Sequence, residues 1–272
     1  MRFPSLRRRL VACSIAALCA VALTSCVSQS KEDATSIAGW VSTQPHVLAA
    51  TADVVTSDPV FTDYLLGVEV TVDPAISDPD LTALYDSTRA RVQAAGWSLS
   101  NVVFDLGSGR TVANASTVLL AVFEQVREDP RFLTVTGLRG AGCSADFCVT
   151  LDQSDPIALQ QIVDEVMTLA DESGGVQPAS EFAASNADGR FVVRSTPAAR
   201  TDRAVTLWRQ IAQQATVNRA LAYSLPGRRS EPSTQYLFID VSTASEKDRT
   251  EALAEAQHDV DVKVTVNRAP GG

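Results

Sequence analysis

The 272-residue sequence predicts an α+β protein built around a mixed sheet, and three observations carry that prediction. Short β-rich apolar runs come in pairs joined by turns of Gly, Asn, Asp or Pro, and each pair is followed by a stretch with apolar residues at helical spacing. Ser, Asp or Thr stands at the helix starts, twice as Ser-Asp-Pro (77–79 and 154–156). Those starts fall near residues 79, 116, 155, 198 and 245, so one unit recurs about every 37 to 47 residues.

The clearest unit runs from Phe132 to Glu172. Phe132 to Leu138 is a strand, Arg139 to Gly142 a glycine-rich turn, and Asp146 to Leu151 a second strand. A helix follows from Ser154-Asp155-Pro156, with Leu159, Ile162, Val163, Val166, Met167 and Ala170 on one stripe. The cap has a mechanism: the side-chain oxygen accepts from exposed first-turn amides, and Pro fills a position whose N–H would be unpaired anyway. An acid there also suits the positive end of the helix dipole, which accounts for many Asp residues without a site.

The remaining units follow in order. Val47 to Val55 and Tyr64 to Val72 flank Ser57-Asp58-Pro59 and lead to a helix with Leu81, Leu84, Tyr85, Val92 and Ala95 inward, ending at Gly96. Leu99 to Asp105 and Arg110 to Ala113 flank Gly107-Ser108-Gly109 and lead to a helix from Ser116 that stops before Asp129-Pro130. Ala179 to Ala184 and Arg190 to Ser195 lead to a helix capped by Thr196-Pro197. Arg219 to Leu225 and Gln235 to Val241 lead to a helix over Ser245 to Gln257, and Val260 to Val266 closes the chain. A strand–helix–strand step forces parallel pairing and a short turn antiparallel pairing. Alternating them gives βαββαβ, so the expectation is tandem ferredoxin-like modules with helices on one face of a mixed sheet. Residues 64–138 and 190–267 each spell that order, and a single α/β domain is the alternative. The expected organisation is a leader over 1–25, a flexible tether over 26–45, a first module over 46–140 and a second over 141–272 with an extra strand–helix unit. Trp40 is expected to pack on the fold.

The leader has a basic start (Arg2, Arg7, Arg8, Arg9) and an uncharged apolar run from Leu10 to Ser25. That run is shorter than the roughly 20 residues a membrane span wants. Leu23-Thr24-Ser25-Cys26 resembles the lipobox of bacterial lipoprotein precursors. The resemblance implies cleavage before Cys26, a diacylglycerol on its thiol and often an acylated new amino terminus. The expected location is the outer face of the cell membrane, with Cys26 as the lipid attachment. Several chains are needed, because one gives only marginal binding at about 0.8 kcal/mol per buried methylene.

Loss of the four leader arginines takes the net charge from −9 to −13. Nucleic acid and anionic lipid surfaces attract Lys and Arg clusters, so neither is an expected partner. Cys143 and Cys148 bracket four residues at a hairpin tip and are expected to form a disulfide, a local clip contributing about 2 kcal/mol. Zinc is disfavoured by their spacing of four intervening residues.

Catalytic signatures are weak. Gly107-Ser108-Gly109 lacks the elbow pattern of a serine nucleophile, and His46 and His258 read as surface or helix-end residues. Gly137 to Gly142 runs into a strand instead of a helix, so it is turn chemistry and not a phosphate cradle. Asp73, Asp78 and Asp80 read as a cap, and Asn186 to Gly189 as a turn. Trp97 and Trp208 read as core. Arg228-Arg229 at the last hairpin tip is the clustered basic pair, a candidate contact for an envelope protein or polymer. No catalytic residue, metal or cofactor is assigned. The expected role is a non-enzymatic, lipid-anchored binding or scaffold module; the alternatives are a solute-binding lipoprotein of a transporter and an envelope hydrolase.

Overall fold

The computed structural model describes residues 31–56, 64–98, 100–137, 143–226 and 233–267. The chain divides into two compact units, Met1–Phe104 and Asp105–Gly272. The sequence suggests a boundary at 140, whereas the division falls at 104/105 and the strands Arg110–Ala113, Phe132–Gly137 and Phe147–Leu151 pair with one another within the second unit. The lipobox, the Ser57-Asp58-Pro59 turn, the glycine-rich turn at 139–142 and Arg228-Arg229 lie outside the described residues.

The first unit corrects the tether. Residues 31–41 form a helix, α1, in which Ala34, Ile37 and Val41 are buried. Their i, i+3, i+7 spacing is a sparse apolar stripe inside a small, polar run, and it is enough to seat a helix. Trp40 is half-buried, with the Arg91 guanidinium 6.0 Å from its ring centre. Strand β1 (Val47–Thr56) pairs antiparallel with β2 (Tyr64–Val72), in register through Asp53 and Gly67. Alternate residues Leu66, Val68, Val70 and Val72 are buried, as a half-covered strand requires. Helix α2 (Asp78–Ala94) starts at Ser77, whose hydroxyl oxygen accepts from the Asp80 amide at 3.3 Å and donates to Asp80 Oδ2 at 2.6 Å. Strand β3 (Ser100–Asp105) lies beside β2, and its Phe104 ring sits 5.2 Å from Tyr85 of α2.

The second unit runs β4 (Arg110–Ala113), α3 (Thr117–Val126), β5 (Phe132–Gly137), β6 (Phe147–Leu151), α4 (Pro156–Glu172), β7 (Phe182–Asn186), β8 (Phe191–Ser195), α5 (Asp202–Ala212), β9 (Val217–Leu225), β10 (Thr234–Val241), α6 (Ala244–Glu255) and β11 (Val260–Val266). Strands joined by a helix pair in parallel: β4 with β5, β6 with β7, β8 with β9 and β10 with β11. Strands joined by a turn pair antiparallel: β5 with β6, β7 with β8 and β9 with β10. This is the alternation that connection length dictates. The strand order is sequential from β4 to β11, so each parallel pair is a pair of neighbours. The split ferredoxin-like order expected from the sequence would insert a strand between them; local alternation fixes the pairing sense but not the neighbour.

Helices α3 to α6 pack one against the next and onto the strands they connect, covering one face of this sheet. Phe147, Val149, Phe182, Ala184, Val193, Ala220, Ala222, Leu237 and Ile239 point into that layer and are buried. Trp208 of α5 is buried there and stacks on Phe191 at 5.8 Å. Helix α5 starts at Asp202 and not at the expected Thr196-Pro197. Thr196 and Ala199 instead close a turn on each other through their amides and carbonyls at 3.0 and 3.1 Å. Thr201 precedes the helix but does not cap it: its hydroxyl lies 2.6 Å from Ser195 Oγ and donates to Gln160 Oε1 at 2.5 Å. The cap comes from another element, since Gln235 Oε1 on β10 accepts from the Arg203 and Ala204 amides, both at 3.0 Å. Such a cap has no local signal.

Candidate functional site

Because a strand's side chains alternate, covering one sheet face with helices leaves the other set on a face that no described helix covers. In the second unit those residues line up in rows across the strands. One row passes from Thr134 through Thr150, Ser185, Val192, Leu221 and Phe238 to Lys263. The next passes from Thr136 through Cys148, Ala183, Arg194, Tyr223 and Tyr236 to Asp261. A shorter row holds Arg219, Asp240 and Thr265.

The two ends of this face differ in chemistry. Over β8 to β11 it is filled by rings and cations. Tyr223 stacks on Tyr236 at 4.8 Å and on Phe238 at 5.9 Å, with ring planes 11° and 9° apart. Arg194 sits 5.0 Å from the Tyr223 centroid and Lys263 5.7 Å from that of Phe238, so cations flank the stack. Desolvation raises the Tyr223 hydroxyl above its ordinary pKa, with Tyr236 adding to the shift and Arg194 opposing it.

Over β5 to β7 the face is polar and hollow. Thr134 Oγ1 donates to Thr150 Oγ1 at 2.7 Å, and Thr150 lies 3.4 Å from Ser185 Oγ. A groove of about 560 Å³ opens above these hydroxyls and reaches Arg190 and Arg219. Cys143 and Cys148 form part of its wall and are joined as a disulfide, with Cα atoms 5.7 Å apart. Cys143 packs with Ala145 and Ala183, so the bridge fixes the wall to β7. A second groove of about 370 Å³ lies over Phe238, Asp240 and Lys263 and shares Arg219 and Leu221 with the first.

The cations at the first groove are held differently. Arg190 Nε lies 3.1 Å from Asp188 Oδ2, and the Arg190 amide donates to Asp188 Oδ1 at 3.1 Å. These contacts keep the Asp188 carboxyl below its ordinary pKa, the backbone bond foremost. The Arg219 side chain is exposed and makes no hydrogen bond or ion pair among the described residues. Asp240, its register partner across β10, instead accepts from the Thr265 hydroxyl.

Other residues singled out in the sequence fall into structural roles. Asn186 and Asp188 close the expected turn through Asn186 Nδ2 to Asp188 Oδ1 at 2.7 Å and the Phe191 amide to Asn186 Oδ1 at 2.9 Å. His46 stands 3.7 Å from Asp80, and His258 is exposed after α6. Ser108 takes φ 49° in its turn. Trp97 is half-buried. Among the described residues no three His, Cys, Asp or Glu side chains are gathered as a metal site, and no helix is long and apolar enough to cross a membrane.

Arg228-Arg229 is the basic pair that adjacency in the sequence marks. The sheet gathers Arg194, Arg219 and Lys263, which are far apart in the chain, onto one face. The hydroxyl end of the face did have a local signal, the alternation in FCVTL, where the residues between the buried ones are Cys148 and Thr150; the cations had none. No family model matches this chain, and no curated protein matches it either.

Proposed function

We propose that the protein is a lipid-anchored binding or scaffold module at the outer face of the cell membrane, and that its contact surface is the uncovered sheet face of residues 105–272. The observation that carries this reading is the groove of about 560 Å³ built on β5 to β7, where hydroxyls, a disulfide and an unengaged guanidinium converge on a rigid sheet. A groove of that size falls within the range of ligand sites, and strands position such groups better than loops do. The anchor rests on the lipobox alone. For the fold, the neighbouring parallel pairs favour serial strand–strand–helix units over the tandem ferredoxin-like form, which needs split pairs.

A solute-binding role is the second reading, and the same groove favours it. The anchor is tested by metabolic labelling with an alkynyl fatty acid and cell fractionation. Wild-type protein should carry the label and pellet with membranes. Cys26→Ala should lose the label and leave the membrane fraction, and a Cys26→Ala protein that still pellets contradicts the anchor.

A further inference from the structure

The groove over β5 to β7 specifies a ligand class, and we infer that it binds a small oxyanion carried on a hydroxylated frame, of the kind a sugar phosphate presents. The inference deepens the reading of this face as a binding surface. Its lining contains no carboxylate among the described residues, in a sequence with 32 Asp and Glu against 23 Lys and Arg. Thr111, Thr136, Ser144, Thr150 and Ser185 line it instead, and their hydroxyls both donate and accept. Arg219 supplies a planar fork of donors suited to a phosphate or carboxylate, and among the described residues no side chain forms an ion pair or hydrogen bond with it. Arg190 is already engaged by Asp188 and adds the rim. The aromatic stack lies beyond Leu221, with its rings facing one another, so sugar stacking is not what this groove offers. Recognition would run from guanidinium to oxyanion at one end and from hydroxyls to the ligand's hydroxyls along the strands.

The test is calorimetric titration of the full mature protein in non-ionic detergent with glucose 6-phosphate, glucose and inorganic phosphate. Vesicles of phosphatidylcholine containing phosphatidylglycerol form a separate arm. Glucose 6-phosphate should bind with a Kd of about 1 mM or tighter. Glucose should bind at least about tenfold more weakly, because it forgoes a charge-assisted bond. Arg219→Gln should weaken glucose 6-phosphate by a similar factor with thermal unfolding unchanged, since the Arg219 side chain contributes no bond to the fold. Arg249→Gln on the exposed side of α6 should change nothing. Equal affinity for glucose, undiminished binding by Arg219→Gln, binding to vesicles but to no soluble phosphate, or no saturable binding up to about 10 mM would each overturn the inference. None of these outcomes bears on the anchor, which labelling at Cys26 decides separately.

Discussion

Gly109 links backbone chemistry to the groove. Its φ is +73°, and a Cβ placed there would lie 2.7 Å from Thr134 Cγ2 and 3.1 Å from Thr134 Cβ. Thr134 opens the hydroxyl row, so the β3–β4 turn and the floor of the site constrain each other. Gly107 also has a positive φ, +74°, but a Cβ there meets nothing within 4 Å. Gly107→Ala should therefore cost the left-handed backbone penalty of about 1–2 kcal/mol. Gly109→Ala should cost more, because a β-branched side chain on a paired strand cannot swing away. Urea unfolding of the two variants checks the order, and equal midpoints would contradict it. Nearby, Arg110 shows why single residues resist sequence reading. Its guanidinium donates to the carbonyls of Arg127, Phe132 and Leu133 at 2.6, 2.7 and 2.9 Å, tying β4 to the loop after α3. Burial lowers its pKa, opposed by Glu128 and then Asp129, and an arginine stays charged regardless. None of these partners is near it in sequence.

At the scale of elements, local chemistry was legible wherever an element carries its own start signal. Ser77, Ser116, Asp155 and Thr243 cap α2, α3, α4 and α6 with side-chain acceptors, and the flanking strands fall within a few residues of their expected bounds. Helix α5 starts later than the sequence predicts because its cap is borrowed. Thr196-Pro197 looks like a helix start but closes a turn, and Gln235 reaches in from β10 to serve the true first amides. Gln235→Ala should strip two buried or part-buried donors of their acceptor. The cost should be about 1–2 kcal/mol, at the upper range for a lost cap, read as a lower urea midpoint. Hydrogen exchange should speed first at the start of α5. An unchanged midpoint would mean that water replaces the amide at no cost. Helix α1 is illegible for a different reason: its three buried residues, Ala34, Ile37 and Val41, give too weak a period to separate from a linker.

For the whole molecule, the sense of every pairing in the second unit follows from connection length, which is a local property. Neighbour order and the place where the chain divides depend on long-range hydrogen bonding, and those are where the expectation departed from the structure. The candidate site was illegible for the same reason. A row such as Thr134, Thr150 and Ser185 exists only once three strands are in register. On the same face Phe238 is 38% exposed at the end of a stacked set of rings. The measurement that tests this account most directly is hydroxyl-radical footprinting of the full mature protein, once purified and once in its intact envelope. The account predicts that Leu221, Tyr223, Tyr236 and Phe238 are oxidised in the purified protein and protected in the envelope, while exposed Leu48 and Val55 react alike in both. Equal oxidation of the four sheet-face residues in both settings would contradict it.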